Sequence, residues 1–446
     1  MLAFMQSWFA PGANPVGVDF GTDCLRLAQV ERVNGDFRLV AAACADVPSH
    51  VRNDPFGRLT FFSETLRDLW TTGNFRGRRA VLALPAASMF IQHLRIPKMD
   101  EDALKKALPW EARGKLPMDP TQALLRHLVA GEVYQDQEPK SEVILMAARK
   151  EMVEQLLAAA AKARLDVVGM NVEPKALIDC FCNISRRKTD AQATVCFVDI
   201  GCNASRAVIA QGTQVLFARA IPVGGEHFSK AVATALKIPL EEAKLMRFRL
   251  AGHGCDEGRE TCADPRNINQ SAADAANADA DSDNSFALMG VSTAASATRQ
   301  SGGATATLEA PPVIARKTAP TAPDESAQRS RIDQAIAEPI KRLAEELSLC
   351  RRYHESTFPT KPIDRLVFVG GEARHRSLCQ GIARELGIAA QIGDPMVRMG
   401  RISDIGVESG IDRRLPQPAW SVAIGLTMGP PPITESNAEK AAPRDE

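Results

Sequence analysis

Alternating apolar and polar residues at the start of the chain predict a β-meander followed by a helix and a fourth strand. Asn34-Gly35, between two alternating runs, is the strongest short signal for a hairpin. The predicted elements cover residues 16–20, 25–30, 37–41, 61–70 and 79–84. Pro85 closes the last strand, so the chain begins with a βββαβ unit.

The pattern changes between residues 88 and 163. Strand and helix periodicities alternate in a new order, and they predict strands over 90–96, 123–130 and 142–148 and helices over 101–115 and 150–163. We therefore predict that this segment is a compact α+β insert.

A second meander follows and resembles the first. After a predicted helix over 173–185, strands are predicted over 193–199, 206–209 and 214–220, and helices over 227–236 and 240–250. The same order of elements at two places indicates an internal duplication of supersecondary structure, although few residues are identical between the two copies.

Residues 253–330 differ in composition from the rest of the chain. Ala, Asp, Ser, Thr, Asn and Pro dominate, and such a segment cannot bury enough apolar area to offset the entropy of ordering it. We predict a disordered insert over 253–330. The proline-rich end, 429–446, is predicted to be a flexible tail.

Order is predicted to return at Ile332. Apolar residues recur there at spacings of three and four, which describes one face of an amphipathic helix: Ile332, Ile336, Ile340, Leu343, Leu347 and Cys350. Pro339 predicts a kink or a restart within this helix. A strand over 365–369, a helix over 375–386 and a short strand over 389–392 are predicted to follow.

Composition narrows the class of protein. A chain of 446 residues is too long for one core, since domains usually hold about 100–200 residues. Lys+Arg and Asp+Glu both number 54 and aromatic residues make up 5%, so neither a basic nucleic-acid surface nor a stacking platform for bases is expected. The 45% of hydrophobic residues indicates a packed globular protein.

Cysteine usage and hydropathy add two expectations. The ten cysteines are spread over a long chain without a secretory signal, which favours a reduced protein, and their spacing does not fit a zinc site. No apolar stretch approaches the ~18 residues that span a bilayer. The apolar N-terminal segment, 1–13, is interpreted as a frayed or packed terminus, with contact to a membrane interface as the alternative.

Three strands end in glycine turns that suit a bound nucleotide. A strand ending in Asp before a glycine hairpin lets backbone N–H groups approach phosphates, while the Asp holds hydrated Mg²⁺. A third turn, Gly370-Gly371, would admit adenine and ribose against bare backbone. The candidate nucleotide-binding residues are Asp19, Gly21, Thr22, Asp199, Gly201, Asn203, Ser205, Gly225, Gly370 and Gly371, with Asp19 and Asp199 as candidate metal ligands.

These residues also have structural interpretations. Asp19 and Asp199 suit turn or cap carboxylates, and Gly370-Gly371 suits tight packing of a helix on a strand. Glu173 is interpreted as a first-turn helix carboxylate rather than an activator of nucleophilic water. Trp110 is interpreted as part of the core or of a groove wall.

The order of the three turns resembles the actin-like ATPase superfamily, in which two duplicated halves clamp a nucleotide. More narrowly, the chain resembles the PilM family of type IV pilus assembly proteins, relatives of the division protein FtsA. The narrower resemblance covers about residues 14–430 except the long insert. It rests on Val16-Gly-Val-Asp-Phe-Gly-Thr22, Ala83-Leu-Pro85, Trp110-Glu111, Leu116-Pro117, Val172-Glu-Pro-Lys-Ala176, Val198-Asp-Ile-Gly201, Pro222-Val-Gly-Gly-Glu226 and Ile363-Asp-Arg-Leu-Val-Phe-Val-Gly-Gly371.

The resemblance implies an α/β chain with the actin-like ATPase fold, in which two duplicated halves flank a nucleotide cleft and an extra α+β subdomain of the FtsA and PilM type is inserted. The expected units are the N-terminal apolar segment (1–13), a first actin-like subdomain (14–87 and 164–190), the inserted subdomain (88–163), a second actin-like half (191–252 and 331–428), the disordered insert (253–330) and the tail (429–446).

The resemblance also implies a function. A PilM-like protein is a cytoplasmic scaffold at the inner face of the inner membrane, where it grips the short cytoplasmic N-terminal peptide of the membrane protein PilN in a groove beside the inserted subdomain. It thereby helps to link the pilus motor to the envelope complex, and membrane attachment is expected only through partners. ATP and Mg²⁺ are the implied cofactors. No catalytic residue is assigned, so any enzymatic activity would be weak ATP hydrolysis.

Four departures from the family pattern bear on the nucleotide. Asp23 follows the first turn, where a carboxylate would repel a triphosphate. Cys202 stands where the second turn usually continues with Gly, and Glu372 stands where a third Gly is common. Lys244 and Arg247 occupy the helix positions that usually present an acidic residue to the ribose and a Lys to the adenine. We hypothesise that nucleotide binding is weakened or lost.

Two other functions of this superfamily stay open at this point. A filament-forming, membrane-associated division protein of the FtsA type would need a C-terminal amphipathic helix, which the 429–446 tail does not offer. An ATP-dependent phosphotransferase of the sugar-kinase type would need an Asp general base near a sugar pocket, and none is identifiable.

Overall fold

The computed structural model describes residues 14–85, 88–135, 137–184, 192–252, 325–397, 399–401, 411 and 415–429. The apolar N-terminal segment, residues 253–324 of the predicted disordered insert and residues 430–446 of the predicted tail lie outside these ranges. Helix resumes at Glu325, which is earlier than the predicted end of the insert at residue 330.

The first half of the chain contains the predicted meander and the inserted subdomain. The meander and its helix are β1 (Val16–Phe20), β2 (Cys24–Val33), β3 (Asp36–Asp46), α1 (Pro55–Thr72) and β4 (Arg79–Leu84). The inserted subdomain follows as β5 (Met89–Pro97), α2 (Glu101–Glu111), β6 (Ala123–Gln135), β7 (Glu138–Arg149) and α3 (Lys150–Lys162). The first half then ends with β8 (Asp166–Val172) and α4 (Glu173–Ile184).

The second half repeats the meander and adds helices. Its elements are β9 (Thr194–Ile200), β10 (Ser205–Gln211), β11 (Gln214–Ile221), α5 (Gly225–Leu236), α6 (Leu240–Gly252), α7 (Glu325–Thr357), β12 (Arg365–Val369), α8 (Arg376–Leu386) and β13 (Ala390–Ile392). The chain then returns to the first half, with β14 (Gly400–Arg401) pairing with β3 and α9 (Ser421–Met428) packing against β1 and α4.

The two large sheets have the same internal order, which confirms the predicted duplication. One sheet is ordered β14-β3-β2-β1-β4-β8 and the other β11-β10-β9-β12-β13. In each, an antiparallel meander is extended by a parallel strand on its first member, β4 on β1 and β12 on β9. The first strands of the two meanders therefore occupy equivalent places and end at equivalent points.

The inserted subdomain forms a separate sheet, ordered β5-β7-β6, with a small core under α2. It contacts the second half through the buried carboxylate of Glu142, which accepts hydrogen bonds from Tyr353 Oη at 2.7 Å and Arg95 Nε at 3.2 Å and lies 3.0 Å from His93 Nδ1. Burial raises the pKa of Glu142, but the hydrogen bonds from His93 and Tyr353 outweigh it and hold the pKa below its ordinary value.

The largest departures from the predicted helices are at the start of α1 and in the middle of α7. Helix α1 begins at Pro55 rather than residue 61, because the Asp54 side chain accepts a hydrogen bond from Phe56 N at 3.0 Å and Pro55 suits the first helical position. Of the two predicted consequences of Pro339, a kink or a restart, the restart does not occur, since α7 continues through this residue. The buried apolar stripe of this helix packs against the second core and offsets the hydrogen bond that proline removes.

Three elements that belong to the first half have no counterpart in the sequence prediction: β8, β14 and α9. All eight residues of α9 are buried, so the helix has no polar face and shows no helical periodicity. It fits between a strand and a helix because two glycines allow close approach. A Cβ at Gly17 would lie 2.0 Å from Ala423 O, and a Cβ at Gly425 would lie 1.9 Å from Ala176 O.

Candidate functional site

The two predicted Asp turns meet in a cleft between the halves. Asp19 and Asp199 are each the last residue but one of their strand, β1 and β9, and they are only 6% and 4% exposed. Each faces an arginine on the next strand of its hairpin, Arg26 opposite Asp19 and Arg206 opposite Asp199. The duplicated fold thus places two Asp–Arg pairs at equivalent positions.

Burial has the largest effect on the pKa of Asp19. Burial and, to a smaller degree, the Asp199 carboxylate raise the pKa of Asp19, while Arg26 and Arg206 lower it, and the net result is a rise from 3.8 to about 6. The carboxyl group therefore keeps its proton to a higher pH than an ordinary Asp and is ionised only above about pH 6.

Arg206 supplies the positive charge at the centre of the cleft. Its guanidinium pairs with the Asp199 carboxylate and lies 2.6 Å from Glu173 Oε2, measured from Nε. Glu173 is the first residue of α4, as the first-turn interpretation predicted, and it is 3% exposed. One guanidinium therefore joins carboxylates of both halves where the sequence predicted Mg²⁺.

The predicted adenosine turn is filled by a buried ion pair. Glu372 accepts a bidentate contact from Arg247, with Nη1 at 2.6 Å from Oε2 and Nη2 at 3.0 Å from Oε1. Arg247 is fully buried, and its Nη2 also donates to Ser229 Oγ at 3.2 Å. A Cβ at Gly225 would lie 1.9 Å from Glu372 Oε1, so Gly225 makes room for this carboxylate rather than for a base.

The mouth of the cleft is closed by a second set of ion pairs. Lys244 Nζ lies 2.8 and 2.7 Å from the two Asp23 oxygens and so joins α6 of the second half to the first phosphate turn. Arg52 Nε lies 3.1 Å from Asp23, and its Nη1 lies 2.9 Å from Glu241 Oε1. Asn203 also crosses between the halves, donating to Asn53 Oδ1 at 3.2 Å.

Little space is left at this position for a ligand. The cavity lined by Arg52, Gly225, Lys244 and Glu372 has a volume of about 60 Å³. Pockets for drug-sized ligands hold roughly 300–1,000 Å³, and a water molecule takes about 30 Å³. The residues present therefore do not fit a nucleotide in this conformation.

The remaining candidate residues are mostly committed to the turns themselves. Ser205 is fully buried and its hydroxyl donates to Val223 O at 2.6 Å, so it does not face the cleft as a free phosphate donor. Gly201 N donates to Ala204 O at 3.1 Å, while Gly21 and Thr22 form the first hairpin turn. Gly370 has a φ of 89°, and a Cβ there would lie 2.3 Å from Asp199 Oδ1. Beside Gly371 there is open space.

Three arginines of this cleft, Arg26, Arg52 and Arg206, were not among the residues predicted from the sequence. Arg26 and Arg206 each follow the Asp of their turn by the same interval, 19 to 26 and 199 to 206. Aligning the two meanders on their Asp residues would have revealed the match. Arg52 and Glu241 carry no such signal, because they belong to unrelated segments that only the fold brings together.

We expect Asp19→Asn to raise stability in a pH-dependent way. The raised pKa means that the unfolded state loses its proton first, so the wild-type protein loses stability as the pH rises from about 4 through about 6. The Asn variant lacks this loss. Its free energy of unfolding should exceed that of the wild type by on the order of 1–3 kcal/mol at pH 8 and should equal it at pH 3.5.

Urea unfolding at several pH values measures this difference. Asp68→Asn, at an exposed position of α1, is the matched control and should change stability little at any pH. An Asp19→Asn variant that is less stable than wild type at pH 8 would contradict the charge arrangement described here.

Three further observations concern Trp110, metal-binding clusters and membrane-spanning helices. Trp110 is 66% exposed on α2, so it does not belong to the core, and Arg113 stacks on its ring at 4.1 Å. Within the described ranges no group of three or more His, Cys, Asp or Glu side chains could hold a metal ion. No described helix is long and apolar enough to cross a membrane.

Comparison with known proteins places the chain in a family. Residues 17–251, just over half of the 446, match the sequence profile of the type IV pilus assembly protein PilM. The chain belongs to the PilM family. Residues 196–425 also match the profile of the cell division protein FtsA, so both halves carry the actin-like ATPase fold.

A solved structure shares the fold of this PilM-family chain. A structure of a PilM-PilN type IV pilus biogenesis complex is 18% identical in sequence and superposes with a TM-score of 0.64, covering 93% of this chain and 98% of that one. The ethanolamine utilization protein EutJ from Carboxydothermus hydrogenoformans is 14% identical, with a TM-score of 0.46 and 96% of each chain covered.

Proposed function

We propose that this PilM-family chain is an actin-like scaffold of the type IV pilus inner-membrane assembly complex and binds the cytoplasmic N-terminal peptide of a PilN-like membrane protein. The observation that carries this proposal is the family match together with the shared fold of a PilM protein solved as a PilM-PilN complex. The scaffold lies at the inner face of the inner membrane, is held there by its partner, and contacts components of the pilus motor.

The inserted subdomain offers a surface for the peptide. The exposed Trp110 and the guanidinium of Arg113 stacked on it form the kind of aromatic and arginine pair that often dominates binding energy at interfaces. The Trp110-Glu111 motif on α2 is also one of the motifs that carry the family resemblance. We place the peptide in a groove beside this helix, where a preformed cleft captures a short segment.

Trp110→Ala should weaken binding of a synthetic PilN cytoplasmic peptide at least tenfold, because an exposed hot-spot ring is lost. Stability should change little, since the ring is 66% exposed. Isothermal titration calorimetry measures the affinity.

Tyr134→Ala, at a 77% exposed position of the same subdomain, is the matched control and should bind the peptide with wild-type affinity. Absence of binding to the wild-type chain would refute the function, and unchanged affinity in Trp110→Ala would refute only the placement.

We further propose that Mg-ATP is not a cofactor of this scaffold. Three observations support this: Arg206 carries the charge expected of a metal ion, Glu372 and Arg247 fill the adenosine turn, and Lys244 and Asp23 close the mouth. Peptide affinity should therefore be the same with Mg-ATP and with EDTA. The same ion pairs argue against a sugar-kinase type of phosphotransferase, which needs an open nucleotide cleft.

A further inference from the structure

A second cavity lies at the far end of the second half from the cleft. The strands β9 and β12 run from this cavity towards Asp199 and Gly370, so the cavity sits at their starting ends. Its volume is about 420 Å³, which is within the range of small-molecule sites. It lies where the end of α4, from the first half, meets the second sheet, and junctions between folding units are common places for ligand sites.

The walls of this cavity are largely apolar. Phe181 of α4 and Phe197 of β9 lie with their ring centroids 5.2 Å apart, and Val195 and Val367 continue the wall. Apolar and aromatic walls with a few polar groups are typical of sites that bury most of a small ligand. Among the described residues, no carboxylate lines the cavity, so an anionic ligand would meet no repulsion from these side chains.

One polar group of the lining is buried without a partner. Gln391, on β13 opposite Val367, is 4% exposed, and among the described residues its Nε2 has no hydrogen-bond acceptor. A buried amide donor without an acceptor is costly and rare in native proteins. The neighbouring Gln211 and Gln214 use their amides on Gln192 O and Ala130 O, at 2.8 and 2.9 Å. Gln391 is thus an unused donor beside an apolar wall.

We propose that this cavity binds a small amphiphilic molecule, with an apolar ring or chain against Phe181 and Phe197 and an acceptor such as a carboxylate or sulfonate on the Gln391 amide. The ligand would touch both α4 and the second sheet, and hence both halves of the molecule. This site is separate from the nucleotide cleft and from the peptide surface at Trp110, so it does not depend on the proposed function.

The fluorescent probe 8-anilinonaphthalene-1-sulfonate, an aromatic body with a sulfonate acceptor, tests the proposal on the folded full chain. We expect saturable binding at one site per chain. Ala193→Trp, at the half-buried rim of the cavity, should abolish it, and Thr213→Trp, at an exposed position of the same lining, is the second blocking variant in case the first does not fold. Tyr134→Ala, far from the lining, should leave it unchanged.

Gln391→Leu separates a ligand-binding role from a structural one. The leucine keeps most of the volume and removes the unpartnered donor, so probe affinity should fall at least fivefold while the unfolding temperature stays the same or rises. Three results would overturn the proposal: no saturable probe binding to the wild-type chain, equal binding in both blocking variants, or a lower unfolding temperature in Gln391→Leu with unchanged affinity.

Discussion

Replacing Arg247 with methionine is expected to lower the free energy of unfolding by about 3–5 kcal/mol. The guanidinium is fully buried and makes a bidentate contact with Glu372, so its removal leaves a carboxylate uncompensated in an apolar surrounding. Phe248, whose ring lies 4.8 Å from the guanidinium carbon, loses its cation–π contact in the same variant.

The double variant Arg247→Met/Glu372→Met should be far more stable than the sum of its single changes predicts. Methionines of similar volume remove both charges together, which is often neutral or stabilising for a buried pair. A double-mutant cycle in urea at pH 7 measures the coupling. The control is Lys230, whose 62% exposed side chain pairs with Glu226, and Lys230→Met should cost less than about 0.5 kcal/mol. Additive costs for the buried pair would contradict the description of a filled adenosine turn.

Gly425→Ala is expected to cost about 3 kcal/mol or more of stability. The added Cβ would lie 1.9 Å from the carbonyl oxygen of Ala176, which is backbone of α4 and cannot rotate away. Helix α9 would have to leave its place between α4 and β1, and with it eight buried residues would lose their packing.

Gly371→Ala is the matched control for this change. A Cβ at Gly371 meets nothing within 4 Å, and the residue is not in the left-handed region of φ. Its stability should stay within about 0.5 kcal/mol of the wild-type value, measured by urea unfolding as for Gly425→Ala. If both variants were equally stable, α9 would not pack as closely as described.

Much of the fold was predictable from the sequence, because the strands of both halves alternate apolar and polar residues and are separated by turns with clear sequence signals. Asn34-Gly35 marked the first hairpin, and the repeat of the meander predicted two equivalent sheets. The sequence did not predict α9, because a helix buried on every side has no amphipathic period. The restart that was one of the two expectations for Pro339 does not occur, since tertiary packing outweighs the local preference of proline.

The candidate site was predicted in its positions but not in its contacts. Asp23, Lys244, Arg247 and Glu372 were recognised separately as departures from the family pattern. The structure pairs them: Asp23 with Lys244 across 221 residues of sequence, and Glu372 with Arg247 across 125. Pairing over such distances depends on the topology of both halves, which no local pattern reveals. These four departures from the family pattern, which appear unrelated in the sequence, form two ion pairs in the structure.

These pairs give the cleft a structural role. In an actin-like ATPase the nucleotide lies between the halves, whereas here Arg206 joins Glu173 to Asp199 and Lys244 joins α6 to Asp23. At the back of the molecule, Glu142 ties the inserted subdomain to α7 through Tyr353. Such a chain holds its halves together with its own side chains, which suits a scaffold that presents a fixed surface to its partner.

Titration of Mg-ATP into the purified full chain by calorimetry tests whether the ion pairs of the cleft exclude a nucleotide. We expect no binding in the micromolar range, in wild type and in Asp19→Ala alike, because the adenosine turn and the cleft mouth are filled by ion pairs. Micromolar binding to the wild-type chain that Asp19→Ala abolishes would contradict this expectation and would show a working nucleotide site.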